Sequence, residues 1–152
     1  MKVLELSEAQ NIDFWLDGIK QFKRNELKEI MSTIDDPLEV AKLSIESYQG
    51  FTAPFGGQRT SVGKSLWENI IFEFNKFMCD EKEYIEEKKN LNSHKGLTSS
   101  LIVGTISSSI GASLGIFAGA IAAPIALLLY IAAKGGLNAY CITYYKEEEK
   151  SE

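Results

Sequence analysis

Between residues 8 and 34 the apolar side chains Trp15, Ile19, Phe22, Leu27, Ile30, Met31 and Ile34 recur at intervals of three and four, the period of one helix face. The spacing predicts an amphipathic helix over 8–34. Asp36, Pro37 and Glu39 follow in the order of an N-cap, a first-turn proline and a capping-box acid, which predicts a second helix over 36–49, closed by Gly50. Pro54 and the Gly56-Gly57 pair break either regular period, so the stretch from Gly50 to Gly63 reads as a loop. Helical spacing resumes through Trp67, Ile70, Ile71, Phe74, Phe77 and Met78, predicting a third amphipathic helix over 64–90 whose last turns are polar.

The pattern then changes character. From Gly96 to Ala133 there is no charged residue, a run nearly twice the roughly 20 residues that one helix needs to cross a bilayer. Proline belongs at a helix start or a kink, so the expected division falls at Ala123-Pro124, giving one helix over 98–122 and another from Pro124 to about Tyr145. The sequence "KGGLN" offers an earlier stop for the second. No strand pattern of similar quality occurs, and the expected fold is all-α. It comprises a soluble helical region (1–95), a Gly/Ala/Ser-rich apolar helical hairpin (96–146) and an acidic tail (147–152).

On a single helix Ser107, Gly111, Gly115, Gly119 and Ala123 fall at successive steps of four and form a seam of small residues. Glycine costs roughly 1 kcal/mol against alanine inside a helix, so three at one spacing call for a packing reason. The seam resembles a glycine zipper, the small-xxx-Gly-xxx-Gly pattern of bacterial membrane hairpins and some pore-forming or bacteriocin-like peptides, in which absent side chains let helix backbones approach closely. The resemblance covers about residues 104–123 and implies a packing mode. Amphipathic helices followed by an apolar hairpin also resemble the plan of pore-forming colicins. With so few helices to cover the hairpin, that resemblance implies a second copy or a partner to complete the cover.

Charge refines these expectations. A formal net charge of -5, with Arg24 and Arg59 as the only arginines, argues against nucleic-acid binding. Lys88, Lys89 and Lys95 precede the apolar run and Lys146 follows it, the distribution expected of a hairpin with both ends cytoplasmic. Tyr140, Tyr144 and Tyr145 suit the returning membrane interface. Lys134 is the exception: about ten residues into the second expected helix, it needs a partner, a wet cavity or a pore to face.

Catalytic chemistry is not well supplied. Gly63-Lys64-Ser65 ends like a phosphate loop, but Gln58 stands where its first glycine belongs and no strand precedes it. Lys89 and His94 resemble the arginine-x4-histidine pattern of HEPN-type ribonucleases with lysine in the arginine's place, and an exposed turn histidine is the plainer reading. Glu81, Glu83, Glu86, Glu87 and Glu147 to Glu149 lack the glycine turn and alternating ligands of a calcium loop. Cys79 and Cys141 have no zinc spacing; the pattern fits two buried thiols and leaves a disulfide open.

No catalytic residue, metal ligand or cofactor is therefore expected. The sequence points to a non-enzymatic membrane-associated protein, self-associating through the hairpin into a homo-oligomer, as a membrane-permeabilising toxin or defence effector does. Its expected partner is the lipid bilayer of the inner or cytoplasmic membrane, with the N-terminal region cytoplasmic and its helices open to a protein partner. The alternative is a cytoplasmic soluble interaction module whose hairpin is buried in a homo-oligomer or partner complex.

Overall fold

The computed structural model describes residues 7–52, 59–93 and 96–145, and side-chain surroundings over 9–45, 66–93 and 96–143. Among the described residues there are eight α-helices and no strand: α1 (Ile12–Leu16), α2 (Gln21–Met31), α3 (Pro37–Thr52), α4 (Arg59–Cys79), α5 (Ile85–Ser93), α6 (Ser99–Leu114), α7 (Ala118–Gly135) and α8 (Leu137–Tyr140). A 3-10 turn (Ser7–Gln10) precedes them and a π turn (Cys141–Tyr145) ends the described chain. The all-α expectation holds. The expectations placed on Pro54, Gly56, Gly57, Gln58, His94, Lys95, Lys146 and the acidic tail lie outside the described residues.

The first expected helix is broken at Gly18. A Cβ there would lie 2.7 Å from the carbonyl oxygen of Ser99 and 3.0 Å from Val103, so the chain turns where it touches α6. Arg24 holds the turn by donating from Nε to the Leu16 carbonyl (3.0 Å) and from Nη2 to that of Ile19 (3.2 Å). The second start is as expected: Asp36 Oδ1 accepts from the Leu38 amide at 3.1 Å. That helix passes through Gly50 to Thr52, because glycine lowers helix propensity without forbidding the conformation.

The helix that follows begins at Arg59, inside the stretch read as loop, so Gly63, Lys64 and Ser65 belong to a helix and not to a phosphate loop. It ends at Cys79, well before Asn90. Asp80 Oδ1 accepts from the Lys82 amide (3.0 Å), and Tyr84 adopts a left-handed conformation with φ 55. Together they separate α4 from α5.

The hairpin bend also falls elsewhere than expected. Thr98 caps α6, its hydroxyl accepting from the Leu101 amide at 3.2 Å. Gly115 takes φ 74, and the Gly111 carbonyl accepts the amide of Ile116 at 2.9 Å and that of Gly115, a Schellman-type stop. The chain reverses at Gly115–Phe117, leaving Pro124 inside α7. Pro124 has no amide to offer the Ala120 carbonyl, yet it is buried and the helix continues past it. The stop at "KGGLN" is used: α7 ends at Gly135 and Gly136 turns with φ 88.

α7 occupies the middle of the fold, packed against α3 and α6 and touched by α1, α2 and the 3-10 turn. Its residues from Ala120 to Leu129 are buried except Ala122, which is half-buried. Ile102, Ile106 and Ile110 of α6 meet them, with Val40, Ala41 and Ile45 of α3 and Ile70, Phe74 and Phe77 of α4 completing one core. Each such Leu, Ile or Phe contributes about 1.5–3 kcal/mol on full burial. Gln10 fastens the N-terminal turn to the end of α7 through Nε2 and the Ala133 carbonyl (2.7 Å).

Candidate functional site

The small residues expected to form one seam are distributed across the hairpin. Ser107 and Gly111 are buried on α6, Gly115 forms the turn, Gly119 lies exposed near the start of α7, and Ala123 is buried further along it. Because the helix stops at Leu114, the five positions do not share one helix. Gly111 has a local duty, since a Cβ there would lie 2.4 Å from the Ile116 carbonyl oxygen. Lys134 sits exposed in the last turn of α7, its ammonium 5.6 Å from the centre of the Tyr130 ring. A cation there complements the helix C-terminus.

Two surface features stand out. The first is an apolar groove of about 310 Å³ between the α1–α2 turn and the hairpin, with Gly18, Gly104, Gly119 and Ala122 among the residues lining it. Its aromatic walls are Phe22 and Phe117, 63% and 68% exposed, and its cations are Lys20 and Lys23. The sequence stripe put Phe22 on a helix face expected to be buried; the break at Gly18 re-aims α2 and leaves Phe22 outside. The Phe117 ring lies over Gly119, 3.2 Å from where a Cβ would stand. A Cβ on Gly104 would meet nothing within 4 Å, so the groove is open at that point. Ser107 also lines it, and its fully buried hydroxyl has no hydrogen-bond partner among the described residues.

The second feature is a wide cleft of about 970 Å³ between α5 and the C-terminal turns, with the Cys79–Cys141 disulfide in its wall beside Ile85, Lys88 and Ile142. The pair read as two buried thiols is joined, with the Cα atoms 5.6 Å apart. Lys88 donates to the Asp80 carbonyl at 2.6 Å. Burial pulls its ammonium below the usual lysine range, against the opposing pull of Asp80, Glu81, Glu83 and Glu87.

No known protein family, curated protein or solved structure matches the chain.

At the edge of the fold, a half-buried polar cluster ties α4, the turn before α5 and α6 together. The Tyr84 hydroxyl donates to Glu73 Oε1 (2.5 Å) and lies 2.8 Å from the Ser113 hydroxyl, while Lys76 bridges Glu73 (3.3 Å) and Glu83 (3.9 Å). Burial, reinforced by the Glu73 carboxylate, pushes the Tyr84 phenol up to about 12. The phenol's hydrogen bonds tie α4 to the turn before α5 and to α6, which is the work of a structural clasp. Nearby, Asn75 Oδ1 accepts from the Tyr140 hydroxyl at 2.5 Å, and the Tyr140 ring stands edge-on to Phe74. Among the described residues no group of three His, Cys, Asp or Glu side chains is placed to hold a metal ion.

None of these surfaces announced itself in the sequence. The groove joins Gly18 and Phe22 to Gly104 and Phe117 across the fold, and the one local hint was Gly18 interrupting an otherwise regular stripe.

Proposed function

We propose that this chain is a non-enzymatic helical interaction module that keeps its apolar hairpin as the core of its own soluble bundle. The observation supporting this reading is the burial of α7: 61% of the helix is inside the fold, and its apolar centre is covered by helices of the same chain. Part of the cover that the sequence left to a second copy or partner is supplied by α1, α2 and α3 of the same chain, which pack against α7. What remains for a partner is the surface groove.

The experiment is fractionation of the full chain after lysis, followed by a carbonate or high-salt wash and then detergent. Recovery in the soluble fraction, with a helical circular dichroism spectrum and a cooperative melt, is the expected result. Retention in the pellet until detergent is added would overturn it.

A second reading has an observation of its own. The stretch Ala118–Gly135 is long and apolar enough to cross a membrane, and the hairpin tip carries exposed Phe117. On that reading the bundle is the stored form of a membrane-permeabilising toxin or defence effector, and opening it delivers the hairpin to the lipid bilayer. Dye release from vesicles by the purified chain distinguishes it. The disulfide bears on the compartment: such bonds persist where thiols are oxidised, so a chain working in the cytoplasm would carry two free thiols. Non-reducing peptide mapping of the chain from its native source reads this directly.

A further inference from the structure

We infer that the Cys79–Cys141 bond is a redox latch: a dithiol that reaches it through the cleft between α5 and the C-terminal turns frees the π turn from α4 and leaves the hairpin in place. The inference rests on the soluble-bundle reading, because it needs the chain folded in water. Two links, about one turn of α4 apart, join that helix to the end of the described chain. The inner link is shut away from solvent: Asn75 is buried, Tyr140 is 5% exposed, and the Tyr140 hydroxyl donates to Asn75 Oδ1 at 2.5 Å. The outer link is the disulfide, whose two cysteines are half-buried in the wall of the cleft.

The position of the bond makes its opening a local event. Past Cys141 the chain buries little against α4, since Ile142 and Thr143 are both exposed. With the bond open, the inner link still holds Tyr140, and α7 keeps its packing against α1, α3 and α6. Only the segment from Cys141 onward loses its covalent hold. Cys141 and Ile142 line the cleft together with Ile85 and Lys88, so their release widens it and uncovers Met78, which is buried while the latch is closed.

The exchange balances through a mixed disulfide. One thiolate of the dithiol bonds to a sulfur of the bridge, the S–S bond breaks, and the other cysteine leaves as a thiolate. The second thiolate of the dithiol then attacks the mixed disulfide and expels the remaining cysteine. Two electrons pass to the protein, the two protons of the dithiol end on Cys79 and Cys141, and the reductant departs as its own disulfide. Lys88 and Lys89, against Glu81, give the lining of the cleft a cationic balance that favours the thiolates. Dithiols of this class are plentiful where cells keep thiols reduced and scarce in oxidising compartments, so the latch reports which of the two the chain is in.

The test is backbone NMR relaxation of the full chain, oxidised and then treated with dithiothreitol without denaturant. On reduction the order parameters of Cys141–Tyr145 should fall from about 0.85 to below about 0.6, while those of Ala118–Gly135 stay near 0.85. Reoxidation with oxidised glutathione should restore the first pattern, and the Cys79→Ser, Cys141→Ser double variant should show the second without reductant. Unchanged order in Cys141–Tyr145 overturns the inference, and so does order lost equally from Ala118–Gly135, since the bond then holds the hairpin as well. A bond that dithiothreitol opens only after denaturation overturns it too, because the cleft then gives no access. Those three results leave the soluble-bundle reading standing; a chain that needs detergent for solubility overturns both.

Discussion

Opening the Cys79–Cys141 bond is the perturbation whose size the structure defines best. The bond joins the last residue of α4 to the start of the π turn and closes a loop of 62 residues. That loop contains α5, α6, α7 and α8, including the hairpin that forms the core. In the chain-entropy account, a cross-link over 62 residues removes about 4 kcal/mol of freedom from the unfolded ensemble at room temperature. For a chain of this length each kcal/mol moves the midpoint by roughly 2–4 °C, so reduction should lower it by roughly 8–16 °C.

The loss should come from the unfolded side, because native contacts near the bond survive its opening. Tyr140 remains anchored by its hydroxyl on Asn75 and its ring against Phe74. The assay is a pair of thermal melts followed by circular dichroism, one with and one without a phosphine reductant, repeated on the Cys79→Ser, Cys141→Ser double variant. The double variant should melt like the reduced wild type and ignore the reductant. Oxidised and reduced wild type melting within about 2 °C of each other would refute the loop argument, and two free thiols in the unreduced, denatured protein would remove its premise.

Four further perturbations test separate contacts. Gly18→Ala forces a Cβ to within 2.7 Å of the Ser99 carbonyl oxygen and should cost about 1–3 kcal/mol by overpacking, read as a lower urea midpoint at unchanged slope. Ser107→Ala deletes a buried hydroxyl without a partner among the described residues and should stabilise by about 1 kcal/mol in the same titration. Tyr84, with its phenol pushed up to about 12 from an unfolded value near 10, contributes stability that is complete below the unfolded value and fades as pH rises through the folded one; the urea midpoint should fall between about pH 10 and 12, and Tyr84→Phe should remove that part of the slope. Gly111→Ala, with a Cβ 2.4 Å from the Ile116 carbonyl oxygen, should destabilise far more than Gly119→Ala, whose nearest neighbour is the Phe117 ring at 3.2 Å; equal midpoints would refute the turn role given to Gly111.

Much of the helical content was legible in the sequence because it depends on local period. The stripe through Trp67, Ile70, Phe74, Phe77 and Met78 is buried on α4, and the cap at Asp36 and the start at Thr98 fall where their side chains place them. The breaks were less legible because they depend on distant partners. Nothing near Gly18 in sequence reveals that Ser99 will lie against it, and nothing near Asp80 shows that Tyr84 will reach both Glu73 and Ser113. The disulfide was open for the same reason, since neither cysteine has a neighbour that fixes its pairing.

The hairpin shows how one sequence pattern supports two physical readings. Glycine at steps of four satisfies a seam on one long helix, and it equally supplies a left-handed stop with room for the chain to fold back. Proline, which lacks the amide donor, is the stronger punctuation in the sequence and predicts the bend at Pro124. The fold instead stops at Gly115, where φ 74 is open to glycine and the Gly111 carbonyl can take two amides. Moving the bend from Pro124 to Gly115 lets α7 begin at Ala118, with 61% of its 18 residues inside the fold, and sets the Phe117 ring over Gly119 beside the α1–α2 turn. That single displacement puts the apolar stretch inside the molecule and creates the aromatic-walled groove on its surface. It is therefore the step that decides both how α7 is buried and where the groove opens.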